Sequence, residues 1–392
     1  QCLQRQNTKP RNHGQTSLMT EQFFEQQLKL WPLAADNYKA VRAARSKSFS
    51  LNRDLNIGLK CLPQRKRSAT ADTSRTGIAA RPCFLCAPQL PAEQISLNLV
   101  FENEQITTCT KARENGYRLL VNPYPAFDRH FTIAAVDHRE QSLSRELPAM
   151  LALTEFMPSY LFFFNAPGAG ASAPDHLHFQ AVPRGCLPVE RDFASWHDVY
   201  SRVLFTSGQT EVFCLENFLR SAWLLKSRDP KELCALLQEL LGILASSLPN
   251  TQTETSTAVN NIPQTIHGGN IGSTEKFHTD VNKNPEATAV QQKPPVNLLS
   301  WYEKGLWTCV LFARSKHRPA CYFERGEQQI IVSPASVEMG GLIVLIRPED
   351  FDKINPGLIS RIYAEVSLPE QAYNDISEAW KNLNQHSNPR TL

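Results

Sequence analysis

Residues 165–180 read NAPGAGASAPDHLHFQ, a run of small residues closed by His176, His178 and Gln180 at every second position. Side chains alternate along an extended strand, so a strand over 176–182 sets these three on one face and Leu177 and Phe179 on the other. Three polar groups then converge on one spot, with apolar anchors behind them. On either side the text stays β-like. Residues 95–102, 117–121, 131–136 and 160–165 are short runs of branched and aromatic residues parted by turn residues, and 306–313, 321–323, 329–333 and 342–347 repeat the pattern in the second half. Helical text is set apart from these runs. It covers 20–45, which opens at Thr20, carries Phe23, Phe24, Leu28, Leu30 and Trp31 and kinks at Pro32, then 142–156, then 210–247 with leucines at helical spacing, and finally 369–383. Strands grouped together with helices aside predict an α+β fold rather than alternating βαβ units.

The 392 residues divide on composition into five stretches: a polar tail (1–18), a first α+β half (19–200), a helical segment (201–247), a stretch rich in Thr, Asn, Gln and Pro that reads as a disordered linker or insertion (248–296), and a second α+β half (297–392). With 42% hydrophobic residues, the chain has the apolar material for a large core, which excludes a wholly disordered or small disulfide-stapled protein. Lys+Arg number 41 against 38 Asp+Glu, a formal charge of +3. No overall basic field therefore recruits nucleic acid or an anionic membrane, and any phosphate chemistry has to come from a local site. No apolar run approaches the roughly 18 residues of a membrane span. The polar opening lacks the apolar core of a signal peptide, which points to the cytoplasm. Ten cysteines, several inside apolar runs, fit a reducing compartment, and only Cys83 and Cys86 stand close together.

The His-x-His-x-Gln pattern carries the chemistry. A neutral imidazole is a nucleophile near neutral pH, its ordinary pKa being about 6.5, and it can attack phosphorus when its other nitrogen is held by an acceptor. A neighbouring amide can orient a phosphate oxygen without adding negative charge, and Gly168, Gly170 and Ser172 let backbone N–H groups and a hydroxyl approach the anion. A bare His-x-His is equally compatible with a structural pair. No Gly-rich loop of the dinucleotide or P-loop type follows any strand. Cys83-x-x-Cys86 by itself is open among zinc binding, redox chemistry and chance, although the prolines that flank it disfavour a thioredoxin-like setting.

The segment with Asn165, Gly170, Ser172, His176, His178 and Gln180 resembles the active-site segment of the histidine-triad superfamily, in its transferase branch, where Gln takes the third triad position. CFLCA at 83–87 looks like the CxxC of galactose-1-phosphate uridylyltransferases, and NPYPAFDRHF at 122–131 is similar to the strand, turn and strand that follow it there. HLHFQA looks most like the GDP-hexose phosphorylases, and EMGG at 338–341 echoes their C-terminal half. Asp175 and Leu177 stand where the uridylyltransferases keep prolines, which separates this chain from their UDP-sugar specificity. The resemblance implies HIT-like antiparallel sheets with flanking helices in two related halves, and a covalent nucleotidyl-His178 intermediate with Gln180 beside it. It further implies contacts to ribose or phosphate from Asn122, Asn165, Gly170 and Ser172, a structural zinc on Cys83, Cys86, His138 and His176, and a homodimer. The implied substrate is a nucleotide sugar, best a GDP-hexose, with phosphate or a sugar phosphate as acceptor. A diadenosine polyphosphate phosphorylase, a hexose-1-phosphate uridylyltransferase and a non-catalytic nucleotide-binding module are the alternatives. His130 reads as a core histidine in preference to a phosphate contact, and Lys316, His317 and Arg318 form a basic cluster between strands that a solvated hairpin turn explains equally well.

Overall fold

Pro32 has no amide hydrogen to donate, and the first helical stretch breaks there. Helix α1 spans His13–Leu30 and α2 spans Pro32–Arg42, with Trp31 extended between them. The structure is a computed structural model and describes residues 13–52, 54–248 and 293–386. Residues 13–18, read as polar tail, are the start of α1, with Leu18 exposed. The rest of that tail and most of the 248–296 stretch lie outside the described residues.

Among the described residues fourteen strands follow: β1 Ser46–Leu51, β2 Leu55–Cys61, β3 Leu97–Glu102, β4 Gln105–Cys109, β5 Tyr117–Val121, β6 Phe131–Ala135, β7 Tyr160–Asn165, β8 His178–Pro183, β9 Ser201–Ser207, β10 Thr210–Leu215, β11 Ala222–Ser227, β12 Val296–Glu303, β13 Leu306–Ala313 and β14 Leu342–Leu345. Eleven of them form one antiparallel sheet in the order β4-β3-β5-β6-β8-β7-β12-β13-β11-β10-β9, and β1-β2-β14 form a small second sheet. The large sheet runs through both halves of the chain, which meet where Asn165 of β7 pairs with Asn297 of β12. With helices α3 Leu147–Phe156, α4 Pro230–Ser247, α5 Ser336–Met339, α6 Pro356–Val366 and α7 Glu370–His386, the fold is α+β.

The central strands of the large sheet are buried on both faces, and period-two alternation sorts their residues between two cores. Tyr117, Leu119, Phe131, Ile133, Phe162, Phe164, Leu177 and Phe179 join one core together with Leu147, Leu151, Leu237 and Trp380 of the helices. Leu161, Phe163, Val182, Leu299, Val310 and Phe312 join the other, with Ile57 and Leu59 of the small sheet. On that second face the small sheet covers only part of β5–β8, and the uncovered part floors a cavity.

Four readings of the sequence are corrected here. The segment 201–247, taken as helical, contains three strands (201–207, 210–215 and 222–227) before α4. Five of the six residues of β10 and of β11 are buried, so neither strand shows the polar alternation that marks a half-exposed strand. Residues 321–323 fall at a single 3₁₀ turn, Ala320–Tyr322, and 329–333 pair with no strand, because Ile331 donates its N–H to the Asp350 carboxylate instead. The strand read from 176 begins at His178. His176 sits in the turn before it, its N–H donating to the Ala173 carbonyl.

Candidate active site and metal cluster

Strand β8 lies between β6 and β7; both His178 and Gln180 pair with β6, and Gln180 pairs with β7 as well. Leu177 and Phe179 are buried in the core behind, and His178 and Gln180 face a cavity of about 540 Å³. Asn122, Asn165, Gly170 and Ser172 line the same cavity. The Nδ1 of His178 lies 2.9 Å from the His176 carbonyl, an acceptor, so Nδ1 carries the hydrogen and Nε2 is the bare nitrogen. Burial pushes the His178 pKa down to about 4, so the ring is held neutral.

His130 is fully buried, between the rings of Phe127 and Phe163. Its Nδ1 accepts the Ala126 N–H at 3.3 Å, so its Nε2 carries the hydrogen and donates to Gln180 Oε1 at 2.8 Å. That fixes the orientation of the Gln180 amide, whose NH₂ is left to donate toward a ligand. His130 is thus a core histidine, as read, and also orients the glutamine.

The two asparagines are wired into the wall. Asn122 Oδ1 accepts the Tyr124 N–H at 2.9 Å and its Nδ2 donates to Thr132 Oγ1 at 3.2 Å. Asn165 Oδ1 accepts from Asn297 Nδ2 and from the Ser336 N–H, both at 2.8 Å. Asn297 Oδ1 in turn accepts from Arg314, a fully buried guanidinium that also donates to four backbone carbonyls. This network ties the two halves of the chain together behind the glycine loop. Gly170 adopts φ +89°, and a Cβ there would lie 2.5 Å from the Ala335 Cβ.

Sequence reasoning missed several lining residues. Arg65, Arg67 and Ser68 come from the stretch 64–75, which the sequence offers only as a basic polar loop, Arg81 follows it, and Glu338 comes from the start of EMGG. Arg65 donates to the Tyr124 carbonyl. Burial raises the Glu338 carboxyl to about 7, although it accepts the Ala335 N–H at 2.9 Å. Arg318 is no solvated turn residue. It donates to the Ala69 and Ala71 carbonyls and latches the 64–81 segment over the cavity. The concentration of arginine in 64–75 was the one available signal.

Beside the cavity, Cys83, Cys86, His138 and His176 place one ligand atom each within 4.8 Å of one another. Sγ of Cys83 lies 3.3 Å from His176 Nδ1, and Sγ of Cys86 lies 3.2 Å from His138 Nδ1 and 3.6 Å from His176 Nδ1. Tetrahedral zinc with ordinary bond lengths sets S and N about 3.6 Å apart, so the cluster has the size for a metal. His176 Nε2 is 2.9 Å from the Ala135 carbonyl, the kind of partner that leaves Nδ1 free to ligate.

Residues 295–386 match a family described as GDPGP1-like, C-terminal domain, and residues 23–183 match a domain of unknown function, DUF4922. The GDPGP1-like match supports the histidine-triad-like resemblance read from the sequence. The GDPGP1-like match falls on the half that carries Glu338, Asn297 and Arg314, so both halves of the site lie in matched segments. Among solved structures the chain is similar to yeast Ap4A phosphorylase Apa2, at 15% identity and TM-score 0.47, with 87% of this chain and 97% of that chain covered. The same yeast enzyme in complex with Ap4A matches at 13% identity and TM-score 0.47, over 86% and 97%. A DUF4931 family protein from Bacillus cereus matches at 11% and TM-score 0.30, over 53% and 85%. No curated protein sequence matches the chain. No helix among the described residues is long and apolar enough to cross a membrane.

Proposed function

We propose that the chain is a nucleotidyltransferase of the phosphorylase kind. In this reading it cleaves a nucleotide sugar, best a GDP-hexose, at the α-phosphate and passes the nucleotidyl group to phosphate or a sugar phosphate. The observation that carries the reading is the single tautomer of His178. Nδ1–H is committed to the His176 carbonyl, and Nε2 is the free nitrogen of a neutral ring that lines the cavity. The Nε2 lone pair forms a bond to the α-phosphorus, and the bond from that phosphorus to the bridging oxygen breaks. The oxygen leaves with its electron pair as the sugar phosphate. The N-phosphorylated ring carries positive charge, which the His176 carbonyl offsets through Nδ1–H. An oxygen of the acceptor phosphate then attacks the same phosphorus, and the P–N electron pair returns to Nε2. Gln180 NH₂, Ser172 and Arg65 supply donors toward the non-bridging oxygens. The GDPGP1-like match and the EMGG resemblance support the GDP-hexose choice.

Cys83, Cys86, His138 and His176 would hold a zinc in the reducing cytoplasm. When bound, it supplies a structural clamp between the 64–91 segment and the turn before β8. Incubation with GDP-, UDP- and ADP-sugars and diadenosine polyphosphates, without acceptor, is expected to add the mass of one nucleoside monophosphate to the intact protein. His178→Ala is expected to abolish the adduct. The donor that labels fastest names the substrate class. Nucleotide binding with no adduct from any donor sinks covalent catalysis and leaves a binding module.

A further inference from the structure

The register of β7 with β8 runs Tyr160↔Pro183, Leu161↔Val182, Phe162↔Ala181 and Phe163↔Gln180, then stops. Continued for two residues it would pair Asn165 with His178. At that level the side chain of Gln141 stands in for the missing pair. Gln141 is fully buried. Its Nε2 donates to the Asn165 and His178 carbonyls, both at 3.0 Å, and its Oε1 accepts the His178 N–H at 2.8 Å. Every polar atom of this amide except one hydrogen-bonding lobe of Oε1 is thereby used, and the backbone donor and acceptor of His178 are both satisfied by one side chain.

Gln141 does not act from an isolated position. Residues 138–141 shadow 176–178 along the chain. His138 Nδ1 lies 3.2 Å from the Cys86 Sγ that also faces His176, the Arg139 carbonyl accepts the Leu177 N–H at 2.7 Å, and Gln141 holds His178. Strand β8 is therefore guided on entry by a short segment that is not itself a strand. Direct pairing with β7 would draw the two backbones to the usual strand spacing of about 4.8 Å. An inserted amide holds them further apart at the nucleophile alone. The His176 carbonyl that fixes the imidazole tautomer belongs to this guided stretch.

We infer that Gln141 is a positioning residue for the nucleophile: by replacing one rung of the β7–β8 ladder with its side-chain amide, it sets the backbone of His178 so that Nδ1–H meets the His176 carbonyl and Nε2 meets the α-phosphorus. The inference rests on His178 being the nucleophile of the reaction proposed above. The test compares wild type, Gln141→Met and Gln141→Glu, each labelled with ¹⁵N-histidine, by the ring-nitrogen shifts of His178, single-turnover adduct formation and GMP binding. Wild type is expected to show one protonated Nδ1 and one bare Nε2. Gln141→Met is expected to lose that single tautomer and to form adduct about 100-fold more slowly, as a misplaced reacting group does, with the GMP Kd within about twofold because no binding contact is removed. Gln141→Glu keeps the length and the acceptor for the His178 N–H but loses both donors. It is expected to fold and to show the same slowing, and it decides the question if Gln141→Met does not fold. An unchanged tautomer and rate in the folded variant overturns the inference. Absence of adduct in wild type sinks the proposed reaction and not the role of Gln141, which the tautomer comparison still decides.

Discussion

Ala126 N–H on Nδ1 leaves His130 only one tautomer, and that tautomer turns Gln180 toward the cavity. Burial carries the His130 pKa down to about 3. Between pH 6.5 and 3 the unfolded chain binds a proton here and the folded chain does not, so stability falls as the pH drops through that window. The slope is about 1.4 kcal/mol per pH unit from this residue. His130→Asn is expected to be less stable than wild type at pH 8 and to lose less on going from pH 7 to pH 5, as read by urea unfolding. Equal losses in the two proteins would contradict the assignment. The shared face of His178 and Gln180 was legible because the alternation in HLHFQ is a local property of a strand. The task of His130 was not, because it depends on a partner 50 residues away in sequence. The asparagines were legible as neighbours of the site, yet their amides are bonded to groups that no local pattern announces.

The elements that wall the cavity are short and irregular, and two of them make definite predictions. Gly170 sits at φ +89° with Ala335 and the Pro334 carbonyl pressed against it. Gly170→Ala therefore meets both backbone strain and a clash. It is expected to cost about 2–4 kcal/mol and to slow adduct formation, measured by melting and single-turnover labelling. A melt and rate equal to wild type would mean the loop is free to move. The Cys83–Cys86 turn is expected to carry about one equivalent of zinc in purified protein. Chelation or Cys83→Ser should lower the melting temperature by several degrees, because the metal binds the folded state alone. Metal well below one equivalent, with melting unchanged by the substitution, ends the zinc reading. The strands β5 to β8 could be read from their branched and aromatic runs. Strands β10 and β11 could not, because a strand buried on both faces has no alternation to show. The arginines of 64–75 declared a basic loop without declaring that it folds back over the sheet, since the latch is Arg318, some 250 residues downstream.

At the scale of the molecule, the two halves share one sheet and one cavity, so neither half closes the site alone. Composition located the 248–296 boundary in the chain but said nothing of the seam, because β7 and β12 are paired by tertiary contacts across it. A chain ending at residue 248 is expected to be insoluble or aggregated, and the full chain to unfold in one calorimetric transition. A soluble, cooperatively folded N-terminal fragment would refute the shared sheet. The seam also sets an order of events during synthesis. The outer edge of β7, sequence YLFFFN, has no partner until β12 is made, because Phe162 pairs with Ser300. At translation rates of 5–20 residues per second, that edge waits roughly 7–30 s as an open template of unpaired amides and phenylalanines. The nascent chain passes through its most aggregation-prone state with the nucleophile strand already made, and holdase protection over that interval is what this topology asks of the cell.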